Sequence, residues 1–242
     1  MTQPIRIGTA GWSVPSRYLD QVPAGGSHLQ RYAAQLNAAE INSSFHRPHR
    51  RGTYEKWAAS VPDGFAFSVK LPRTITHDLG LADCNALLDR FADEATGLGD
   101  KLAVLLVQLP GKSALQKRVA GTFFRALRRR IGADVVVEPR HASWFAAGVD
   151  DWLAAQGIAR AAADPARNAG ADAPGGRPAL AYYRWHGSPR MYYSDYDAPA
   201  LASLRRRLAR HRAQGASVWC ILDNTASSAA LGNALQLARS FR

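Results

Sequence analysis

The segment DVVVEPRHASW, residues 134–144, places ionisable side chains directly after a run of valines. Glu138, Arg140 and His141 follow the valines within a few positions, and Trp144 comes shortly after them. A carboxylate can act as a general base or acid, and a neighbouring imidazole can pass protons. A guanidinium binds carboxylate or phosphate through two parallel hydrogen bonds. We therefore predict that Glu138 and His141 are catalytic and that Arg140 binds an anion.

Polar side chains also follow most of the other apolar runs. Lys70 and Arg184 are expected to bind the anion together with Arg140, because ammonium and guanidinium groups both attract carboxylate or phosphate. His77 is the third catalytic candidate, as a proton partner of Glu138. The other predicted substrate-binding residues are Trp12, Glu40, Asn42, Gln108, Trp144, His186 and Asn224. Each has a structural alternative, since histidines often only bond, tryptophans often only pack, and charged groups can form mutual ion pairs.

A metal site is a weaker possibility. Four side chains at successive strand ends could act as oxygen or imidazole ligands: Glu40, Glu138, His141 and Asp164. However, the sequence has no closely spaced ligand pair of the HExxH kind. Cys84 and Cys220 have neither the number nor the spacing of a disulfide framework or a zinc site. We predict no metal ligand and assign no cofactor.

These candidates need a scaffold that brings many strand ends together. Eight strand-like runs recur along the chain, at residues 5–8, 39–42, 65–70, 103–109, 134–138, 159–164, 181–187 and 218–224. Eight strands alternating with helices over 242 residues predict a TIM-type (β/α)8 barrel, with a doubly wound sheet as the main alternative. We expect one domain over residues 1–242. In either fold, ligands bind at the C-terminal ends of the parallel strands.

Local signals predict where the helices begin. Asp83 and Ser113 are each expected to cap a helix, because their side chains can accept hydrogen bonds from free N–H groups. Asp197, with a proline just inside, is expected to open a third helix, and residues 225–241 to form the last one. Glycine and proline replace any apolar period around residues 164–180. The sixth unit is therefore predicted to contain a loop instead of a full helix.

The composition favours anionic partners. The chain has 31 Lys and Arg residues against 19 Asp and Glu, a formal net charge of +12. Basic runs lie at residues 46–52, 125–130 and 204–212, the last two on predicted helices whose arginines should face outward. No run approaches the roughly 18 apolar residues of a membrane span, and the first twelve residues lack the apolar core of a secretory signal. We expect a soluble, cytoplasmic protein without a membrane partner.

Short motifs near the strand ends follow one another in a specific order. They are GTAGW (8–12), EINSSF (40–45), KLPRTITH (70–77), QLP (108–110), EPRHASW (138–144), RWHG (184–187) followed by Tyr192 and Tyr196, and NALQL (233–237). This series resembles the YecE-like family, domain of unknown function 72, over nearly the whole chain. The resemblance implies a TIM-type barrel and brings no established activity. The chain departs from the family pattern at His46, at residues 222–224 and in a shortened segment after Trp12.

We therefore predict an enzyme that binds an anionic small molecule, phosphorylated or nucleotide-like, at the C-terminal mouth of the barrel. Its chemistry would be of the acid/base type, as in a hydrolase or a lyase. Two other classes fit the same residues. One is a nucleic-acid-binding protein or phosphodiesterase that uses the basic surface, for which binding would weaken steeply with salt. The other is a ligand sensor without catalysis.

Overall fold

The computed structural model describes residues 4–241. In that part of the chain the strands are β1 (Arg6–Thr9), β2 (Ala38–Ile41), β3 (Ala66–Lys70), β4 (Leu102–Gln108), β5 (Asp134–Glu138), β6 (Ile158–Arg160), β7 (Ala162–Asp164), β8 (Gly175–Gly176), β9 (Leu180–Trp185) and β10 (Ser217–Leu222). The helices are α1 (His28–Ala33), α2 (Arg51–Ala59), α3 (Asn85–Ala95), α4 (Lys117–Arg130), α5 (Val149–Ala155), α6 (Ala198–Ala213) and α7 (Ala229–Arg239). None of these helices is long and apolar enough to cross a membrane.

The strands form two sheets, ordered β1-β10-β9-β7 and β2-β3-β4-β5-β6-β8. All pairs are parallel except β6 with β8. The predicted sixth strand is divided at Ala161 into β6 and β7, which belong to different sheets. On the other side, a single bridge between Ala10 and Glu40 connects β1 to β2. The prediction of a parallel α/β fold is confirmed, whereas continuous strand pairing around a closed barrel is not.

The strands are buried on both faces, and the inner face carries a second apolar cluster. Side chains two positions apart share one face of a strand. The inner cluster includes Ala38, Ala66, Val104, Leu106, Val136, Tyr182, Trp219 and Ile221. Continuing each strand by two or four residues on the same face reaches Glu40, Lys70, Gln108, Glu138, Arg184 and Asp223. These six residues, which we call the polar layer together with His186, therefore cover the inner apolar cluster at the C-terminal ends of the strands.

The predicted helix starts have mixed outcomes. Asp197 caps α6 as expected, and its Oδ1 accepts a hydrogen bond from the N–H of Ala200 at 2.8 Å. Asp83 does not cap α3, because it adopts a left-handed backbone conformation before the helix begins at Asn85. The Ser113 prediction is also wrong, since α4 begins four residues later. The glycine- and proline-rich part of the sixth unit is confirmed as a loop that carries only the two-residue strand β8.

Candidate functional site

Arg184 is the centre of the polar layer. Its Nη2 lies 2.7 Å from Glu40 Oε1, and its Nε lies 3.0 Å from Glu40 Oε2. Nη1 lies 3.2 Å from Glu138 Oε2, and Nη2 lies 3.0 Å from Asp223 Oδ2. The guanidinium thus bridges three strands, β2, β5 and β9, and the residue that directly follows β10. With three carboxylates around it and 1% of its surface exposed, Arg184 has no donor free for a substrate anion.

His186 lies between two of these carboxylates. Its Nδ1 is 2.9 Å from Asp223 Oδ2, and its Nε2 is 3.0 Å from Glu138 Oε1. A carboxylate only accepts hydrogen bonds, so both contacts are satisfied when the ring carries two protons. Arg140 Nη2, 3.2 Å from Nε2, can donate to that nitrogen in the neutral ring. Whether the ring is doubly protonated or neutral, it is fully enclosed by protein groups, which argues against the predicted contact of His186 with substrate.

Two buried carboxylates of the layer, Glu138 and Asp223, are ionised. Burial opposes ionisation of Glu138, but the charges of Arg140, His186 and Arg184 outweigh it and hold the pKa of this carboxyl well below its usual range. Burial likewise opposes ionisation of Asp223, and Arg184 and His186 lower its pKa overall. Glu138 therefore has no proton to donate at neutral pH and is a weak base. This electrostatic state argues against its predicted role as a general acid or base and favours a positioning role.

Lys70 differs from the other cations of the layer. Among residues 4–241, no carboxylate lies within ion-pair distance of its Nζ, which instead lies 4.0 Å from the centre of the Phe45 ring. Burial, followed by the charge of Arg184, lowers the pKa of Lys70 to about 8. The residue is 7% exposed. A desolvated lysine of this kind can exchange a proton or act as a nucleophile near neutral pH.

Arg140 lies at the outer edge of the layer. Its Nε and Nη2 donate to Glu138 Oε1 at 3.0 and 2.5 Å. Its side chain is 11% exposed, compared with 1% for Arg184. Its backbone carbonyl accepts a hydrogen bond from Asn168 Nδ2 at 3.2 Å, which fixes the loop after β5. Because Nη1 is not used in these bonds, Arg140 can donate to an anion while it stays bound to Glu138.

His77 lies near Lys70 through a shared aromatic neighbour. It belongs to a π-helical turn, Thr74–Asp78, after β3, and its ring centre is 4.9 Å from that of Phe45. Its Nδ1 is 2.9 Å from Thr76 Oγ1. Burial, followed by the positive charges of Lys70 and Arg73, lowers the pKa of His77 below its ordinary value. A neutral, half-buried imidazole at this position is suited to accept protons.

The remaining predicted site residues lie further from the centre of the layer or have structural partners. Trp144 is buried and donates from Nε1 to Ser113 O at 2.9 Å, so it packs in the core. His141 Nδ1 contacts Ser143 Oγ and stabilises its own turn. Asn224 Nδ2 donates to Ser194 O and Asn233 Oδ1. Gln108 ends β4 in register with Glu138 and is partly exposed.

Trp12 and Asn42 share a pocket beside the layer. The pocket has a volume of about 350 Å³, and Gly11, Ser13, His28 and Ser43 complete its lining. Trp12 packs edge-on against Trp57, with ring centres 5.1 Å apart. Asn42 Oδ1 is buried and has no hydrogen-bond partner in the part of the chain that the structure describes, so a bound donor could satisfy it. The structure thus brings these two predicted substrate-binding residues together.

Asp223, Tyr182 and Phe45 belong to the site although the sequence-based site prediction omitted them. The Tyr182 hydroxyl lies 3.1 Å from Glu40 Oε2 and 2.9 Å from Ser68 Oγ, below the charged groups. Asp223 and Tyr182 could have been found from the alternation of side chains along a strand. Ile221 and Asp223 share one face of their strand, and Tyr182 and Arg184 share one face of theirs. Phe45 follows β2 within the EINSSF motif, and its contact with Lys70 had no local signal.

The described residues do not contain a group of three or more His, Cys, Asp or Glu side chains arranged to hold a metal ion. Two of the carboxylates considered as ligands, Glu40 and Glu138, are bound to Arg184. A third, Asp164, accepts a hydrogen bond from the Tyr196 hydroxyl at 2.6 Å. Their lone pairs are therefore engaged by protein donors.

We expect the protein to lose stability steeply on acidification. Glu138 and Asp223 have lower pKa values in the folded chain than in the unfolded chain, so their contribution is present above the unfolded values and lost as pH falls. Each proton taken up on unfolding contributes at most about 1.4 kcal/mol per pH unit. Urea unfolding from about pH 6 to about pH 3 should show this slope.

Two variants separate this effect from surface charge. Asp223→Asn should flatten the acid limb of the stability profile, because it removes one of the two carboxyls that must be protonated. Asp63→Asn is the matched control, since Asp63 is exposed, forms no ion pair within residues 4–241 and should leave the slope nearly unchanged. Equal slopes in the two variants and the parent protein would contradict the linkage to the polar layer.

The fold and the site together define a TIM-like α/β protein with a charged layer at the C-terminal ends of its strands. The chain belongs to the family described as "Protein of unknown function DUF72", whose model matches residues 6–242. The family resemblance noted in the sequence is confirmed.

Two bacterial proteins are similar in sequence to part of this chain. The UPF0759 protein YecE of Escherichia coli K12 is 27% identical over 155 residues, which are 64% of this chain and 55% of that protein. The UPF0759 protein YunF of Bacillus subtilis 168 is 27% identical over 148 residues, 58% of this chain and 52% of that protein. These alignments therefore span about half the length of the curated relatives.

Solved structures share the fold over nearly the whole chain. A DUF72 family protein of Enterococcus faecalis V583 superposes with a TM-score of 0.81 at 20% identity, covering 98% of this chain and 94% of that one. One of Thermotoga maritima MSB8 gives 0.78 at 21% identity, covering 98% and 99%. A sugar phosphate isomerase/epimerase of Parabacteroides distasonis gives 0.53 at 11% identity, covering 97% and 92%. At these identities the likeness concerns the fold alone.

Proposed function

We propose that this protein is an enzyme that binds a small anionic substrate above the polar layer and transfers protons to and from it. One observation carries the proposal. Lys70 and Arg140 each keep cationic N–H donors that no carboxylate of the described residues uses, and Arg140 lies at the outer edge of the layer. Partly buried cations with free donors attract phosphate or carboxylate strongly, because little water competes for them.

The inner part of the layer supports this role indirectly. Arg184 and His186 are saturated by Glu40, Glu138 and Asp223, so they hold Arg140 and the strand ends in position and do not bind the substrate. Proton transfer is assigned to His77 and Lys70, whose pKa values are both lowered by burial and by neighbouring positive charge. Both groups are thereby held closer to their neutral forms, and a neutral imidazole or amine can accept a proton.

The pocket of Trp12 and Asn42 is proposed to hold the uncharged part of the substrate. Asn42 offers a hydrogen-bond acceptor to a hydroxyl group, and Trp12 offers an apolar ring edge.

We also infer that the two sheets close into a (β/α)8 barrel, because the Ala10–Glu40 bridge and the consecutive strands β6 and β7 connect them on both sides.

The site would combine cations for an anion, an acceptor for a hydroxyl group and groups that transfer protons. Phosphorylated hydroxycarbonyl compounds fit this combination. The fold shared with a sugar phosphate isomerase/epimerase is compatible with that class but is not the basis for it.

Binding of dihydroxyacetone phosphate and inorganic phosphate tests the proposal. Calorimetry should detect binding of both by the parent protein, and Arg140→Gln should weaken it about tenfold, the equivalent of about 1.4 kcal/mol. Arg129→Gln is the control, because Arg129 is an exposed arginine on α4 and its loss should change the affinity less than twofold.

Deuterium exchange tests the proposed proton transfer. Solvent deuterium should enter dihydroxyacetone phosphate in the presence of the parent protein, and His77→Gln should slow this exchange.

The other function classes give different results in the same experiments. Anion binding without deuterium exchange or any product would indicate a sensor. Exposed arginines such as Arg206 and Arg210 on α6 make nucleic acid the main competing ligand. Tight DNA or RNA binding with a steep salt dependence, together with no binding of small phosphates, would overturn the small-molecule proposal.

A further inference from the structure

Every carboxylate of the polar layer has a cationic partner other than Lys70. Both oxygens of Glu40 contact Arg184, while Glu138 contacts Arg140, His186 and Arg184. Asp223 Oδ2 contacts Arg184 and His186. The acidic groups near Lys70 are therefore neutralised by other cations. Its amine is buried, and no carboxylate of residues 4–241 lies within ion-pair distance of it.

The position of the Lys70 amine is well defined. Ser44 Oγ donates to the backbone carbonyl of Lys70 at 2.6 Å and contacts Ile41 O at 2.9 Å, so the turn after β2 is fixed to the end of β3. The next residue in that turn, Phe45, places its ring 4.0 Å from Nζ. An aromatic face stabilises a cation but accepts no proton and occupies no lone pair. The amine is therefore held in place without being blocked.

We propose that Lys70 is a nucleophile that forms an imine with the carbonyl carbon of an anionic aldehyde or ketone. The inference rests on the proposed function, because it assumes that a substrate whose anion binds at Arg140 presents its carbonyl carbon to this amine. It replaces the expectation that Lys70 only attracts the anion. A pKa of about 8 supports this role, since about half of the amine is neutral at pH 8 and has a free lone pair.

The proposed step balances without an oxidant or a reductant. The neutral amine attacks the carbonyl carbon, a C–N bond forms, and the carbonyl π electrons move to oxygen, which takes up a proton to give a carbinolamine that is still protonated on nitrogen. Nitrogen then releases a proton, and His77, which packs against the same Phe45 ring, is the neutral base placed to receive it. Protonation of the carbinolamine hydroxyl breaks the C–O bond and releases water. The products are the protonated imine of Lys70 and one molecule of water.

Reductive trapping tests this inference directly. The parent protein is incubated with dihydroxyacetone phosphate, or with pyruvate, and sodium cyanoborohydride near pH 7, and the labelled peptides are identified by mass spectrometry. The chain has five lysines, so the labelled position is unambiguous. We expect Lys70 to be labelled at least about tenfold faster than exposed Lys112, because burial lowers the pKa of Lys70 to about 8 and leaves part of its amine neutral at that pH. Labelling that spreads over the exposed lysines and spares Lys70 would overturn the inference.

Variants separate the imine from simple anion binding. Lys70→Arg keeps a positive charge but has no nucleophilic amine, so it should lose the fast adduct. Lys112→Arg is the control and should be trapped like the parent protein. Phosphate binding that depends on Arg140, without any adduct on Lys70, would refute the imine alone. Loss of both phosphate binding and trapping in the parent protein would refute the proposed function as well.

Discussion

Replacing Arg184 by methionine is expected to lower the free energy of unfolding by about 3–5 kcal/mol, because it leaves buried carboxylates without their shared cation. Glu40 and Glu138 are at most 1% exposed, and Asp223 is 4% exposed, so water cannot take the place of the guanidinium. Methionine fills much of the same volume, and the loss is therefore mainly electrostatic. Urea unfolding of Arg184→Met against the parent protein measures the effect.

A double-mutant cycle shows whether the carboxylates cause this loss. Glu40→Gln alone should be destabilising, because it removes the partner of two Arg184 nitrogens. In the Arg184→Met background the same change should be neutral or stabilising, because it removes a buried negative charge that no longer has a partner. Arg129→Met, on the exposed side of α4, should change stability by less than about 0.5 kcal/mol. Additive effects of the two buried substitutions would contradict the network.

Much of the scaffold could be predicted from the apolar runs. The strand DVVVE was predicted at residues 134–138 and lies there, because three adjacent valines favour extended backbone and fill both buried faces. The Asp197 cap was predictable for a local reason, since the carboxylate and the first N–H groups of α6 are neighbours in sequence. Asp83 failed as a cap because the turn before α3 places its backbone in the left-handed region, which the local sequence did not indicate.

The convergence of Glu40, Lys70, Glu138 and Arg184 could also be predicted, since all four end parallel strands on the inner face. Which of these side chains pair with one another could not be predicted. The number of hydrogen bonds made by Arg184 depends on side chains up to 144 residues away, and such pairing has no signature in a single sequence. For the same reason Lys70 and Arg184 were given one shared role. Within residues 4–241, Lys70 has no carboxylate partner and Arg184 has three.

This difference changes which residues are expected to do chemistry. A charged residue at a strand end is available to a substrate only when its neighbours leave it a free lone pair or donor. Glu138 and His186 are occupied by several partners, whereas Lys70 and the outer nitrogen of Arg140 are not. Substitutions of Glu138 and His186 should therefore mainly lower the stability of the protein. Substitutions of Lys70 and Arg140 should mainly affect substrate binding and turnover.

Gly8→Ala is expected to lower the free energy of unfolding by about 3 kcal/mol or more, because the added methyl group would overlap a neighbouring strand. A Cβ at this position would lie 2.1 Å from the carbonyl oxygen of Ala38 and 3.0 Å from the Tyr32 hydroxyl. That hydroxyl donates to Ala38 O at 2.9 Å and accepts from the N–H of Thr9 at 2.8 Å, so it connects β1 to β2. Thermal and urea unfolding measure the loss.

Gly111→Ala is the matched control, because no atom of the described residues outside its own chain neighbours lies within 4 Å of the position that its Cβ would take. It should be neutral or stabilising by up to about 1 kcal/mol, since alanine reduces the entropy of the unfolded chain. If Gly8→Ala were as stable as Gly111→Ala, β1 and β2 would not lie as close as described. The Ala10–Glu40 bridge between the two sheets would then be lost, and with it the argument that Glu40 of β2 and Arg184 of β9 face a common interior.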